Sequence, residues 1–193
     1  MNSPKGIKNN ISMSHENNWK TLSDEVVYEN PWLQLHHRDV INPAGKPGIY
    51  GLVSFRNKAI GIIPLDKENN IYLVGQFRYT LDEYSWEIPE GGGPLDEDPM
   101  DAAKRELKEE TGLKAEKWIK IARIHTSNSA TDEEGFLYTA EGLSQHETEP
   151  EDTEDLIVKK VSLVEAVDMV MRSEITDSLS VCGILMVARI KGI

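Results

Sequence analysis

The chain has 193 residues, of which 39% are hydrophobic, enough for one domain of ordinary size with its own core. Its formal net charge is -12 and its sequence pI is about 4.9, which disfavours binding to nucleic acid or anionic membranes because surfaces of like sign repel. The single cysteine, Cys182, excludes an intramolecular disulfide and a CxxC site, as is usual in a reducing compartment.

The first 19 residues lack the apolar stretch of a signal peptide, and no later apolar run is long enough to span a bilayer. We therefore expect a soluble cytoplasmic protein. Residues 1–19 are predicted to be a flexible leader, and residues 20–193 a single domain.

The first half of this domain reads as short strands. Residues 20–55 contain extended segments around the turn NPAGKPG at Asn42–Gly48. Two β-branched apolar runs follow at Ala59–Leu65 and Ile71–Phe77, and we expect them to be adjacent strands, the first buried on both faces. The stretch EYSWEIPEG, Glu83–Gly91, is a further extended piece that ends in glycines.

The first helix is predicted from Pro99 to about Thr111. Asp98 is a suitable N-cap, Pro99 suits the first helical position, and Gly112 can adopt the left-handed conformation that ends a helix. These capping residues define both ends of the helix without reference to the rest of the fold.

The second half alternates strands with two more helices. The strand-like stretches EKWIKIARIHT and GFLYTAEGL precede an acidic loop at Ser144–Asp155 and a strand, LIVKKVSL. Helices are predicted at Leu163–Ser173 and at roughly Ser178–Ile190, with Asp177 as the cap of the last. The pattern as a whole predicts one α/β domain with a mixed sheet flanked by helices.

An acidic cluster occupies one sector of the first helix. Its members are Glu106, Glu109 and Glu110. They lie beside the predicted buried face of Met100, Ala103 and Leu107, and so border the interior or a cleft. Such oxygen ligands suit Mg²⁺ or Mn²⁺. The alternative is a solvated face whose charge Lys104 and Lys108 offset.

The spacing around these glutamates resembles a known signature. Gly91 is followed after five residues by Glu97, and after seven more by RELKEETGL, which ends at Leu113. Residues 91–113 thus resemble the Nudix box, found in hydrolases that cleave a nucleoside diphosphate linked to another group. The resemblance implies an α/β/α sandwich in which the box forms a loop–helix–loop.

The resemblance also implies roles for single residues. The metal-site carboxylates would be Glu106, Glu109 and Glu110. Glu109, Glu110 and Arg105 would belong to the catalytic group, with Arg105 held in an internal salt bridge to Glu97. The backbone carbonyl of Glu90 would be a main-chain metal ligand, whereas its side chain has no counterpart role.

Features outside the box resemble one branch of the family. The segment GQFRY…YSWEIPEGG, residues 75–92, is similar to the ADP-ribose and nucleoside diphosphate sugar pyrophosphatases. Arg78 would then contact the diphosphate, a role that suits a planar cation with several donors. Its alternative is a surface arginine at a strand end. Trp86 is predicted to pack in the core.

The N-terminal strands resemble the same branch. Trp32 and Tyr50 occupy positions where relatives carry aromatic residues that sandwich the nucleobase, although either could instead be a core residue. Relatives form dimers in which N-terminal strands reach the partner. A homodimer is therefore expected, with the two rings able to come from different subunits.

One stretch departs from the ADP-ribose pattern. Asn128, in HTSNSATDE, replaces an expected proline, which admits GDP-mannose or another nucleotide sugar as substrate. The nearby His125 either lines the site or is simply hydrogen-bonded at a strand end. Neither the base nor the sugar follows from the sequence.

The resemblance therefore predicts a metal-dependent diphosphatase of nucleoside diphosphate sugars that yields a nucleoside monophosphate and a sugar 1-phosphate. Glu154, in the acidic loop, is predicted as the general base and a further metal-site carboxylate, with Asp152 and Glu151 as alternatives. Two other functions stay open: a Nudix-fold sensor that binds without cleaving, and an enzyme that removes oxidised nucleoside triphosphates.

Overall fold

The computed structural model describes residues 16–148 and 156–193. Within these ranges the elements, in chain order, are β1 (Lys20–Glu29), β2 (Leu33–Ile41), β3 (Pro47–Phe55), β4 (Asn57–Leu65), β5 (Asn70–Arg78), β6 (Glu83–Glu87), β7 (Glu90–Pro94), α1 (Pro99–Thr111), β8 (Leu113–His125), β9 (Glu134–Gln145), β10 (Ile157–Ser162), α2 (Leu163–Met171) and α3 (Ser178–Lys191). No helix in these ranges is both long and apolar enough to cross a membrane.

The strands form two sheets. Strands β1, β2 and β3 make an antiparallel three-stranded sheet, the N-terminal sheet. The central sheet has the order β10-β5-β4-β9-β8, with β6 paired to β5 and β7 paired to β4. Because β4 runs parallel to β9 while its other pairings are antiparallel, the predicted mixed sheet is confirmed.

Helices cover both faces of the central sheet, as expected for three α/β/α layers. Strand β4 serves both faces, because successive side chains of a strand point to opposite sides. Ile60 and Ile62 pack with Ala102, Ala103 and Leu107 of α1. On the other face, the strand contributes Ile63 and Leu65 to a cluster that includes residues of α2 and α3. The run Ile60–Leu65 is buried throughout, as predicted.

The helix ends follow local capping chemistry. The Asp98 carboxylate accepts a hydrogen bond from Met100 N–H, and Gly112 adopts a left-handed φ of 69°, so α1 has the predicted bounds. Helix α2 ends at Met171, two residues earlier than predicted, and is followed by Ser173 with a φ of 59°. Helix α3 extends one residue beyond the predicted end.

The N-terminal sheet has little core of its own. Every residue of β1 is exposed, and Val40 is the one residue of β1–β3 that belongs to the buried hydrophobic set of the described chain. The N-terminal sheet contacts the rest of the chain through Asp132, which accepts hydrogen bonds from Ser54 Oγ at 2.5 Å and Phe55 N at 3.1 Å. This junction places the end of β3 beside the β8–β9 loop.

Candidate active site

A cleft of about 650 Å³ lies between the edge of the N-terminal sheet, strands β4–β7 and the start of α3. Three of the predicted site residues line it, namely Trp32, Arg78 and Glu90. Gly91 also lines the cleft, and its backbone lies against the first carboxylate of α1.

The glutamates of α1 turn toward the segment that begins β7. Glu106 and Glu110 are buried, with 7% and 3% of their surfaces exposed. The Glu110 carboxylate accepts a hydrogen bond from Glu90 N–H at 2.9 Å. A Cβ on Gly91 would lie 2.3 Å from the Glu106 carboxyl carbon, so any other residue there would push the Glu106 carboxylate away from this backbone. Two of the three glutamates of the predicted sector are therefore buried, and Glu109 is partly exposed.

Arg105 links α1 to the preceding loop and bridges two glutamates of its own helix. Its Nη1 donates to Glu106 at 2.8 Å and to Glu109 at 2.9 Å. Its Nη2 donates to Gly92 O at 3.0 Å and lies 3.4 Å from the Glu97 carboxylate. Partial burial lowers the pKa of the Arg105 guanidinium, but the surrounding carboxylates outweigh this and raise it overall. Arg105 thus stays charged and neutralises part of the cluster.

The carboxylates do not converge on one point. In residues 16–148 and 156–193, no three His, Cys, Asp or Glu side chains lie close enough together to hold a metal ion. Glu106 and Glu109 contact Arg105, whereas Glu110 contacts the Glu90 amide. The donor set nevertheless suits Mg²⁺ or Mn²⁺: all three ligands are oxygens, a cation already bridges Glu106 and Glu109, and Gly91 leaves room for the Glu106 carboxylate.

Arg78 is held by two acids at the centre of the cleft. Its Nε donates to both carboxylate oxygens of Glu87, at 2.8 and 3.1 Å, and its Nη2 donates to Glu87 and, at 3.2 Å, to Glu90. Because Glu87 is buried, the plane of the guanidinium is fixed. The hydrogen bond to Glu87 raises the pKa of Arg78.

The side chain of Glu90 has surroundings that its sequence position does not reveal. It is mostly buried, with 13% of its side chain exposed, and lies among Arg78, Glu87 and Asp177. Burial first, and then repulsion from Asp177 and Glu87, raise the pKa of the Glu90 carboxyl well above its ordinary value. Its backbone N–H contacts α1 while its carboxyl contacts Arg78, so this residue joins the two charged groups of the site.

The two predicted base-stacking residues are not brought together within one chain. Trp32 is 65% exposed at the cleft, while Tyr50 donates its hydroxyl to Ser129 O at 2.6 Å and lies edge-on to Trp19. Tyr50 precedes Phe55 by five residues on β3, a distance of roughly 16 Å along a strand. Phe55, which the sequence reasoning missed, lines the cleft with Trp32.

The remaining candidates lie at the β8–β9 connection or in the acidic loop that follows β9. His125, at the end of β8, contacts Glu133 O through Nδ1 at 3.2 Å, in line with its simpler interpretation, and Asn128 is exposed. Glu133 lines the cleft and was also missed. Glu154, Asp152 and Glu151 lie outside the described residues. A carboxylate near a strand end is too common in this acidic chain to have identified Glu133 beforehand.

Comparison with known proteins agrees with this architecture. Residues 55–177 match the family described as NUDIX domain, and residues 19–53 match the nucleoside diphosphate sugar hydrolase N-terminal domain. The chain belongs to the Nudix family. This Nudix hydrolase also resembles a solved structure titled ADP compounds hydrolase, with a TM-score of 0.82 at 20% identity over 91% of this chain and 96% of that one.

Two characterised bacterial proteins resemble this Nudix chain along most of its length. One is the ADP-ribose pyrophosphatase of Bacillus subtilis, 34% identical over 82% of this chain and 86% of that protein. The other is the ADP-ribose pyrophosphatase of Mycobacterium tuberculosis, 32% identical over 89% of this chain and 84% of that protein.

Proposed function

We propose that this Nudix hydrolase cleaves the diphosphate bond of nucleoside diphosphate sugars such as ADP-ribose and GDP-mannose, giving a nucleoside monophosphate and a sugar phosphate. The main support for the proposal is that Glu90 contacts both charged groups of the site. Its amide binds the acidic face of α1 and its carboxyl binds Arg78, so a cation site and an anion-binding guanidinium share one cleft. The names of the two bacterial relatives support the same class of substrate.

The cleft supplies three contacts along such a substrate. Trp32, and Phe55 beside it, offer apolar surface to a nucleobase. Arg78 presents donors to the diphosphate in an orientation that Glu87 fixes. Because Glu87 already offsets the charge of Arg78, Arg78 acts through directed hydrogen bonds more than through net charge.

Hydrolysis requires a water to attack phosphorus, the bridging P–O bond to break, and the water's proton to reach a base. Glu106, Glu109, Glu110 and the Glu90 carbonyl would hold Mg²⁺ or Mn²⁺, which would neutralise charge on the phosphate oxygens when bound. Arg105 holds Glu106 and Glu109 in place. The proton passes to Glu154, with Asp152 and Glu151 as the alternative bases.

We also propose that the protein is a homodimer. The N-terminal sheet exposes apolar side chains along its surface, including Leu22, Val27 and Ile49. A second copy that covers them would form a homodimer and could bring its Tyr50 to the Trp32 of this chain. The net charge of -12 disfavours nucleic-acid and anionic-membrane partners, and the single cysteine suits a reducing, cytoplasmic compartment.

A substrate panel with product identification tests the function. We expect ADP-ribose and GDP-mannose both to be hydrolysed, nucleoside triphosphates to be much poorer substrates, and EDTA to abolish turnover. Reaction in ¹⁸O-water, followed by mass spectrometry of both products, identifies the phosphorus that is attacked. Binding of ADP-ribose without turnover would indicate a sensor instead, and preferential triphosphate hydrolysis would contradict the proposed substrate class.

A further inference from the structure

The segment Ile88–Glu90, which comprises the β6–β7 connection and the first residue of β7, makes a hydrogen bond with each of three other elements. Ile62 of β4 donates its N–H to Pro89 O at 2.9 Å. Glu90 donates its N–H to Glu110 of α1 at 2.9 Å. Ile88 donates its N–H to the hydroxyl of Ser180 in α3, also at 2.9 Å. The last contact ties the C-terminal helix to the turn that carries Glu90.

Ser180 is itself held in a defined position. It is fully buried, and its backbone N–H donates to the Asp177 carboxylate that caps α3, at 2.7 Å. The helix packs tightly here, since a Cβ on Gly183 would lie 2.8 Å from Ile63 Cδ1. The hydroxyl therefore has little freedom to move away from the Ile88 amide.

We propose that Ser180 is a positioning residue that sets the orientation of the Glu90 carbonyl toward the metal and of the Glu90 carboxyl toward Arg78. This inference rests on the proposed function and extends it to the C-terminal helix. Without the hydroxyl, the buried Ile88 N–H loses its acceptor and stays unsatisfied unless the segment shifts to find another. A shift of Ile88 displaces Glu90, two residues away.

The test measures the binding of Mn²⁺ to the protein in the absence of substrate. Mn²⁺ is titrated into the full-length protein by isothermal titration calorimetry, and the amide exchange of the segment is followed by hydrogen–deuterium exchange. Ser180→Ala is expected to weaken Mn²⁺ binding about tenfold, as is typical when a partner outside the ligand shell is removed. Exchange at Ile88 is expected to accelerate in the same variant.

Two further variants separate positioning from simple loss of stability. Val187→Ala truncates a buried residue of the same helix, seven positions later and roughly 10 Å along its axis. We expect it to lower the thermal midpoint while leaving the Mn²⁺ dissociation constant unchanged. Ser180→Thr keeps the hydroxyl and is expected to restore most of the affinity.

The inference is overturned if Ser180→Ala binds Mn²⁺ like the wild type, or weakens binding no more than Val187→Ala does. If Ser180→Ala does not fold, Ser180→Cys replaces it, because a thiol is a poorer acceptor of similar size. Wild-type affinity in that variant would equally reject the role. Glu110→Gln distinguishes the two failures: if it also leaves Mn²⁺ binding intact, the metal site of the proposed function is wrong, whereas a loss confined to Glu110→Gln rejects Ser180 alone.

Discussion

The acidic side of the cleft and the edge of the N-terminal sheet are built in different ways. On the acidic side, Glu87, Glu106 and Glu110 are buried, and groups of the same chain bind them. Along the N-terminal sheet, β1 is exposed at every position and Trp32 projects into the cleft with two-thirds of its surface free. The buried carboxylates of the acidic side thus have partners within the chain, whereas the N-terminal sheet exposes surface that this chain does not cover.

This difference matches the different requirements of bond cleavage and nucleobase binding. Bond cleavage needs charged groups held to a fraction of an ångström, and a set of buried hydrogen bonds provides such rigidity. Nucleobase stacking tolerates variation, because every base has a π-face. Under the proposed function, the exposed sheet would bind the nucleobase and contact a second copy of the chain.

The largest effect is expected from removing single carboxylates on the acidic side of the cleft. Glu109→Gln and Glu110→Gln are each expected to lower kcat by about 10³-fold, since metal-assisted charge stabilisation is worth several kcal/mol. Circular dichroism should show an intact fold. Asp101→Asn, on the exposed face of the same helix, is the control and should retain kcat. Undiminished turnover in either glutamine variant contradicts the site.

The second-largest effect is expected from substitutions in the acidic loop. Glu154→Gln is expected to lower kcat by about 10²-fold with little change in KM, because a general base acts in the transition state more than in binding. Asp152→Asn should be milder. Steady-state kinetics with ADP-ribose measures both variants. If Asp152→Asn loses kcat while Glu154→Gln keeps it, the base is Asp152 and the reaction class stands.

Recognition at the sheet edge predicts a different kinetic signature. Trp32→Ala should raise KM for ADP-ribose about tenfold and leave kcat nearly unchanged, because stacking on an aromatic ring is worth roughly 1–3 kcal/mol. Tyr50→Ala should do the same only if Tyr50 reaches the cleft of a second copy. A fall in kcat without a change in KM would place Trp32 among the groups that assist bond cleavage.

The exposed sheet also makes the quaternary state testable. Light scattering should give the mass of a dimer for the wild type. Leu22→Glu, which places a charge on the apolar face of β1, should yield folded monomers with a raised KM. Lys46→Glu, at the β2–β3 turn, serves as the charge-changing control. A fully active wild-type monomer would remove the second copy from the proposal.

The smallest effect is expected far from the cleft, at the β4–β5 turn. Partial desolvation raises the pKa of Asp66, but hydrogen bonds from Lys160 and Asn70 outweigh it and lower that pKa to about 2. A lowered pKa in the folded state gives stability that is complete above the ordinary value near 3.8 and is lost as pH falls through about 2.

Asp66→Asn should therefore reduce the free energy of unfolding by less than about 1 kcal/mol at pH 7. The difference from wild type should shrink between pH 4 and pH 2, to the extent that the fold persists there, as measured by urea denaturation. A difference that does not vary with pH would mean that the loss comes from the turn geometry rather than from charge.

The sequence determined those features that depend on neighbouring residues. The bounds of α1 follow from Asp98, Pro99 and Gly112, whose capping preferences act within one turn of the helix. The burial of β4 follows from its unbroken apolar run. The sector of Glu106, Glu109 and Glu110 follows from the 100° rotation per helical residue, and the spacing of the Nudix box placed the chain in its family.

Contacts between residues distant in the chain depend on the tertiary structure. Arg78 and Glu87 are nine residues apart, and β5 and β6 must pair before their side chains touch. Ser180 and Ile88 are 92 residues apart, and no local pattern links a helical serine to that amide. Tyr50 points toward Ser129 because the β8–β9 loop lies against β3. Such contacts depend on sheet register and helix packing, which arise from the whole core at once.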